Sequence, residues 1–323
     1  MAKPNIALYW CASCGGCEEA VLDLNENLLK VVEAVDIVLW PVAFDFKYKD
    51  LEAMKDGEIA VSFINGAIRL SEQERIANLL RRKSGLVIAF GSCAHLGGIP
   101  GLANFWDREA IFNRIYKEVP TIDNQECNIP KEIVKIDGKE LALPVFYDTV
   151  KTLSQVIDVD YYLPGCPPPP DLILQALTAI LEDRLPPKGA VLAPAQSLCG
   201  DCPRKDSKPE VIHIKEIRRI SKIIADPDRC FFEQGVICLG PATRSGCGAR
   251  CIEANMPCRG CFGPLDNVVD QGGKFLSALA SIFDTNDEEE IKKRVDSIID
   301  PAGTFYRFSL PSSILRRRRI SNN

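Results

Sequence analysis

Asn5-Ile-Ala-Leu-Tyr-Trp10 runs straight into Cys11-Ala-Ser-Cys14-Gly-Gly-Cys17-Glu18-Glu19. A short apolar run meets a turn rich in cysteine and glycine. Residues 18–34 then carry Val21, Leu22, Leu24, Leu28, Leu29 and Val32 at helical spacing, so the stretch predicts a strand, a loop and a helix. The same unit recurs along the chain. Residues 35–44 predict a second strand, 58–65 a third ending at Asn65-Gly66, and 86–90 a fourth ending at Gly91-Ser92-Cys93. Residues 157–163 predict a fifth, ending at Pro164-Gly165-Cys166-Pro167. Helices are expected over 72–82, with Ser71-Glu-Gln-Glu74 as a capping box, and over 104–119 and 171–182. Residues 122–145 form an irregular excursion with a hairpin signal at Asp137-Gly138. Strand and helix alternate about five times, which predicts an α/β fold over residues 1–185: a doubly wound parallel sheet of flavodoxin type.

That assignment gives four cysteines a common address. Cys14 and Cys17 follow the first strand, Cys93 the fourth and Cys166 the fifth. Loops at the carboxyl ends of strands in an open α/β sheet converge on one crevice, where ligands bind. Four thiolates are what one cubane iron-sulfur cluster requires. Buried cysteines also serve simply as small apolar side chains. Each of these four, however, sits in a glycine- or proline-rich turn at the same end of a strand.

Leu185-Pro-Pro-Lys-Gly189 reads as a hinge, and residues 190–270 form a second unit. Eight of the fourteen cysteines fall here: Cys199, Cys202, Cys230, Cys238, Cys247, Cys251, Cys258 and Cys261. Eight thiolates make two sets of four, and short gaps let one turn aim two sulfurs at one centre, so the segment reads as a ferredoxin-like, two-cluster electron-transfer module. Two rivals stand beside it. Paired Cys-x-x-Cys motifs serve structural zinc equally well, and cysteines can pair as disulfides. Long irregular intervals between the pairs and the neighbouring Phe231, Phe232, Ile237, Leu239 and Phe262 weigh against zinc. A chain of 323 residues that can bury a large core weighs against disulfides. Residues 271–323 complete the chain with helices over 273–283 and 287–299 and a tail containing Thr304-Phe-Tyr-Arg-Phe308 and Arg316–Arg319. The arginine run meets an acidic partner or ends in solvent.

Composition bounds the function. The chain is 46% hydrophobic and 26% charged, with a net charge of -5 that offers no electrostatic case for nucleic acid. No apolar run reaches the roughly 18 residues of a membrane span. The first residues lack the pattern of a secretory leader, so a cytoplasmic protein is expected. His95 and His213 are its only histidines, which leaves little room for a histidine metal site.

Cys14-Gly-Gly-Cys17-Glu18, Gly91-Ser-Cys93-Ala, Gly97-Gly-Ile-Pro-Gly101 and Pro164-Gly-Cys166-Pro-Pro together resemble the small subunit of nickel-iron hydrogenases. With Cys238-Leu-Gly-Pro-Ala-Thr243 and Pro257-Cys-Arg-Gly-Cys-Phe-Gly-Pro264, the sequence is most similar to the cytoplasmic methyl-viologen-reducing, deazaflavin-non-reducing type associated with heterodisulfide reductase. The resemblance implies an electron-transfer subunit with three 4Fe-4S clusters and no catalytic centre of its own. It implies a proximal cluster on Cys14, Cys17, Cys93 and Cys166, a medial one on Cys247, Cys251, Cys258 and Cys261, and a distal one on Cys199, Cys202, Cys230 and Cys238. Many relatives place histidine at the first distal position, and some place proline where Cys251 stands. This chain has cysteine at both, which suits a low-potential relay. The implied partners are a large subunit carrying nickel-iron and an iron-sulfur or flavin acceptor, possibilities that include heterodisulfide-reductase-like subunits.

Two cysteines depart from the pattern. Cys11 blurs the register of the first ligands, although Glu18 directly after Cys17 favours Cys14 and Cys17; Cys127 lies in the excursion without a partner. Each is a free thiol, or else an extra or exchanging ligand. Glu18 and Glu19 either relay protons from a large subunit or open a helix whose positive end favours acids. His95, two residues after a ligand, either tunes the proximal cluster or is a satisfied loop histidine, and His213 reads as structural. Three other functions compete. One is the same relay in a complex whose large subunit lacks nickel-iron. Another is the NADH dehydrogenase subunit with the terminal cluster, which shares the first domain but has adjacent cysteines at the first ligand pair and no second module. The third is a zinc-stapled scaffold.

Overall fold

Five parallel strands form the central sheet of the computed structural model, which describes residues 3–283 and 285–317. They are β1 (Asn5–Trp10), β2 (Asp36–Leu39), β3 (Ile59–Asn65), β4 (Ser84–Phe90) and β5 (Tyr161–Leu163). Their order is β2-β1-β3-β4-β5, with every neighbouring pair parallel. This is the doubly wound order of flavodoxin type, and chain direction switches beside β1. Met1, Ala2, Arg318 and Arg319 lie outside the described residues.

Period two explains why the strands bury both faces. Ile6 and Leu8 of β1 join Cys17, Val21, Phe63, Phe90 and Leu163 in one layer, while Ala7, Tyr9 and Cys11 join Ile64, Leu80 and Ala89 in the other. Each wholly buried Ile, Leu or Phe contributes about 1.5–3 kcal/mol by leaving water.

Several expected elements are shorter or broken. The helix expected over 18–34 is two, Gly16–Leu22 and Glu26–Ala34, because Asn25 takes a positive φ of 51° between them. The second strand stops at Leu39, since the amides of Ala43 and Phe44 turn back onto the Trp40 carbonyl. The helix expected over 104–119 is a 3₁₀ segment Ile99–Phe105, a helix Arg108–Asn113 and a π turn Arg114–Glu118. Asp107 starts the middle piece by accepting the Ala110 amide at 2.7 Å. Ser71 is the first residue of helix Ser71–Lys83 and not its cap; its hydroxyl accepts the Val145 amide at 2.9 Å. The expected box is replaced by Gln73, whose side chain accepts the amides of Arg69 and Leu70. The excursion holds the expected hairpin, Ile133–Ile136 against Lys139–Ala142.

Beyond β5 the chain stays bound to the sheet edge: the Tyr162 amide donates to Ala190 and the Leu192 amide to Tyr162. Arg244, 1% exposed, then fastens this linker by donating to the carbonyls of Ala193, Pro194 and Pro264. The cysteine-rich segment contains turns and short helices, with no named strand among the described residues. Its core draws Leu198, Phe231, Phe232 and Leu239 together with Phe275, Leu279 and Phe305 from the helices that follow. Phe275 stacks between Phe232 and Phe305, with ring centroids 6.1 and 5.4 Å away. No helix among the described residues is long and apolar enough to cross a membrane.

Candidate metal centres

The carboxyl ends of β1, β4 and β5 deliver Cys14, Cys17, Cys93 and Cys166 to one edge of the sheet. Two glycines let them meet. Gly91 has φ 83°, and a Cβ there would stand 2.4 Å from the Cys17 sulfur; at Gly98, φ 58°, it would stand 2.5 Å from the Cys93 sulfur. Burial pushes the Cys17 thiol up, and the charges of Cys93, Cys166 and Cys14 add to that. Burial likewise pushes Cys93 up to about 12, reinforced by Cys166 and Cys14, while Cys166 is raised by burial and by Cys14. All four thiols therefore feel one another. Cys14 and Cys166 face solvent, so the set lies at the surface.

Cys11 points elsewhere. Following Ala7 and Tyr9 by twos, it enters the opposite layer of the core at 5% exposure. Burial alone raises its thiol, with no other cysteine contributing. Cys127 is exposed in a turn held by the Asn124 side chain, at φ 55°.

The second unit gathers its eight cysteines into two neighbouring groups. Cys199 is pushed up to about 12 by burial and then by Cys238, Cys202 and Cys230. A Cβ on Gly240 would lie 3.4 Å from the Cys199 sulfur and 3.7 Å from that of Cys238. In the other group, burial pushes Cys261 up to about 12, with Cys166, Cys247 and Cys251 adding. Cys258 is raised well above the ordinary thiol range by burial and then by Cys238 and Cys261. Two couplings thus cross between groups, Cys166 with Cys261 and Cys258 with Cys238, so the group holding Cys258 and Cys261 neighbours both of the others.

Buried thiols that raise one another ionise readily only when a cation joins them. Among the described residues no three of His, Cys, Asp or Glu are close enough to hold a single metal ion. Sets of four thiols coupled in charge are the donor set that one cubane iron-sulfur cluster takes.

Backbone amides support the thiols. Cys230 receives the amides of Phe232 and Glu233, Cys238 those of Gly240 and Cys258, and Cys247 those of Ala249 and Arg250. Such donors favour the charged thiolate. Arg204, 3% exposed, stacks 4.0 Å over Phe231 and donates to the carbonyls of Asp226 and Arg229 and to Asn255, tying the approaches to Cys230 and Cys258.

Glu18 and Glu19 separate. Glu19 is exposed, whereas Glu18 is 3% exposed and accepts hydrogen bonds from Trp40 Nε1 and, at 2.6 Å, from Asn65 Nδ2. Burial raises its carboxyl, and the two donors only partly offset that. His95 is half-buried against Tyr162, ring centroids 4.6 Å apart, with a buried Nδ1 unpartnered among the described residues. Burial and then Arg244 hold its pKa at about 4, so the ring is neutral near pH 7. His213 is exposed.

Ser92 was not legible from sequence. Its amide and hydroxyl both donate to the Gly165 carbonyl, at 2.7 and 2.8 Å, and the hydroxyl also reaches the Cys261 carbonyl. One residue of Gly91-Ser92-Cys93 thereby fastens the β4 loop to the β5 loop and to the second unit. The only local signal was its place beside a candidate ligand.

Comparison with known proteins gives the family and the fold. The family model described as NADH ubiquinone oxidoreductase, 20 Kd subunit matches residues 14–180. The chain is 38% identical to the iron-sulfur subunit of the F420-non-reducing hydrogenase of Archaeoglobus profundus, covering 97% of this chain and 98% of that one. It is 38% identical to the corresponding F420-non-reducing hydrogenase subunit of Methanothermobacter marburgensis, covering 97% and 96%. A chain of the recombinant [NiFeSe] hydrogenase from Desulfovibrio vulgaris Hildenborough aligns at TM-score 0.51 and 18% identity, over 82% of this chain and 94% of that one, which shows a shared fold.

Proposed function

Because the chain belongs to the nickel-iron hydrogenase small subunit family, in its F420-non-reducing branch and within the wider NADH ubiquinone oxidoreductase 20 Kd subunit family, we propose that it relays electrons between a hydrogenase-type large subunit and an iron-sulfur or flavin acceptor. What supports this reading is that thiols are coupled in charge within each set and from one set to the next, Cys17 with Cys93, Cys166 and Cys14, Cys199 with Cys238, Cys202 and Cys230, Cys261 with Cys166, and Cys258 with Cys238. Cys14, Cys17, Cys93 and Cys166 would hold the proximal 4Fe-4S cluster, Cys247, Cys251, Cys258 and Cys261 the medial one, and Cys199, Cys202, Cys230 and Cys238 the distal one. Each cubane, when bound, supplies a one-electron carrier.

The chain's own residues supply the rest. Exposed Cys14 and Cys166 put the first set where a large subunit can reach it, while the burial of Cys238 and Cys258 keeps water from the sulfurs further in. Glu18, sealed beneath Trp40 and Asn65 next to Cys17, is the carboxyl placed to hold a proton near that contact surface. Cys11, buried on the far side of the sheet, and Cys127, exposed in the excursion, act as free thiols.

Metal analysis tests the reading: about twelve irons and twelve acid-labile sulfides per chain are expected from three cubanes. One to three zincs in a colourless protein would overturn it. Nickel in a co-purified large subunit, or its absence, separates hydrogen as the electron source from the same relay in a complex without nickel-iron.

A further inference from the structure

Beside the second unit lies a cleft of about 350 Å³ walled on several sides by guanidinium groups. Arg218 and Arg219 come from the loop before the third distal-set cysteine, Arg259 from Cys258-Arg259-Gly260-Cys261, and Arg307 from Thr304-Phe-Tyr-Arg-Phe308. We propose that this cleft is the docking surface for the carboxylate-rich face of a protein electron acceptor. The proposal rests on the relay reading and adds where its electrons leave.

Three observations carry it. First, three of the four cations are unanswered. Arg218 pairs with Glu216 at 2.9 Å, but the side chains of Arg219, Arg259 and Arg307 pair with no carboxylate among the described residues. Nε of Arg307 is buried without a hydrogen-bond partner among the described residues. Asp300 is the acid of the lining, and one of its oxygens already accepts the Gly303 amide at 3.0 Å. Like charges facing one cleft repel, and an incoming carboxylate relieves that.

Second, the cleft abuts the candidate conductor. Arg259 lies between two medial-set cysteines, and its guanidinium is within electrostatic range of Cys238, Cys258 and Cys251. Val236 and Ile237, which lead into Cys238, line the same wall. A partner seated there is close to the sulfurs of both inner sets.

Third, the lining is apolar as well as charged. Ile217 and Ile220 flank Arg218 and Arg219, and Ile299 at the cleft's edge is 58% exposed. Arginine set among apolar side chains is the composition of protein interfaces. A small inorganic anion would satisfy the charge but leave the isoleucines in water.

The test uses the full chain, reconstituted and with its iron counted, and a fluorescent peptide of alternating glutamate and leucine as the probe. Binding should weaken as salt screens it, and R219E and R307Q should each weaken it by about tenfold or more. Lys49→Glu, a change in charge equal to that of R219E on an exposed residue elsewhere, should leave it within about twofold. Fully loaded R219E and R307Q that bind as tightly as the unsubstituted chain would overturn the proposal. So would pyrophosphate binding as tightly as the peptide, which would make the cleft a small-anion site. The iron count reports separately on the relay: an unsubstituted chain that carries its full iron and does not bind the peptide sinks the docking surface alone.

Discussion

The backbone amide of Cys258 donates to the sulfur of Cys238 across 3.3 Å, and the Leu239 amide returns a bond to the Cys258 carbonyl at 3.0 Å. Two candidate ligands of different sets are thus clamped through the backbone, twenty residues apart in sequence. Both are buried, Cys258 at 5% and Cys238 at 7%. An amide aimed at a sulfur stabilises its charged form, so the position of one set tunes the other.

Replacement of Cys258 by alanine removes a thiol but keeps the amide that serves Cys238. Iron should fall by about four per chain, from about twelve to about eight, with the distal set still loaded. Hydrogen-dependent viologen reduction by the complex should drop sharply, since a linear route would lose its middle step. Undiminished reduction in a variant shown to lack that iron would refute a route through the medial set.

Gly91→Ala tests the meeting of two loops. The new methyl would stand 2.4 Å from the Cys17 sulfur on a backbone of φ 83°. Strain of about 1–2 kcal/mol comes from the backbone alone, before any displacement of the thiol. The expected result is selective loss of about four irons per chain from the proximal set. Iron and sulfide assays with spectra of the remaining clusters would detect it; full proximal loading would show that the loops do not need this approach.

Much of this was legible in the chain because two simple signals agree. The apolar run of β1 and the glycine turns after β1, β4 and β5 give the sheet, and the sheet places Cys14, Cys17, Cys93 and Cys166 at one edge. Alternation along β1 resolves what spacing left open, since Cys11 follows Ala7 and Tyr9 into the opposite layer. The break at Asp107 was harder to read, because one local cap outcompetes a continuous helical pattern. Ser92 and Arg204 were invisible: their partners lie as far as 169 and 51 residues away, and no local pattern encodes a tertiary contact. The adjacency of the two sets in the second unit is likewise made by crossings such as Cys258 to Cys238, which a count of cysteines does not contain.

Asp160 should govern part of the acid limb of stability. Its carboxylate accepts from Arg81 at 2.6 Å, Lys188 at 2.6 Å and the Val87 amide at 2.8 Å, pinning the start of β5 to β4. Burial pushes its pKa up, but these three donors outweigh burial and leave it below the ordinary value. A lowered pKa in the folded state gives stability that is present above the unfolded aspartate range and is lost as pH falls through the folded value. Asp160→Asn should therefore cost about 1–3 kcal/mol near neutral pH, and the gap from the unsubstituted chain should close below about pH 4. Denaturant melts across that range check it; a gap constant with pH would mean the carboxylate's charge plays no part.

Glu18 separates holding a structure from holding a proton. Trp40 Nε1 can only donate, and Asn65 Nδ2 donates at 2.6 Å while its Oδ1 accepts from the Ser13 hydroxyl at 2.9 Å, so Glu18 must accept at both oxygens. Glu18→Gln can keep this network. Its carbonyl takes the Trp40 donor, and a flip of the Asn65 amide presents an oxygen to the new NH₂ and an NH₂ to Ser13, so stability should change by less than about 1 kcal/mol. Glu18→Ala leaves two buried donors without acceptors and should cost about 1–3 kcal/mol for each. The glutamine variant, folded and fully loaded with iron, has no acidic proton to pass. If Glu18 carries protons to or from the large subunit, hydrogen oxidation by the complex should fall by about a hundredfold or more in that variant. If turnover is unchanged, the carboxylate only fixes Trp40 and Asn65 beside Cys17.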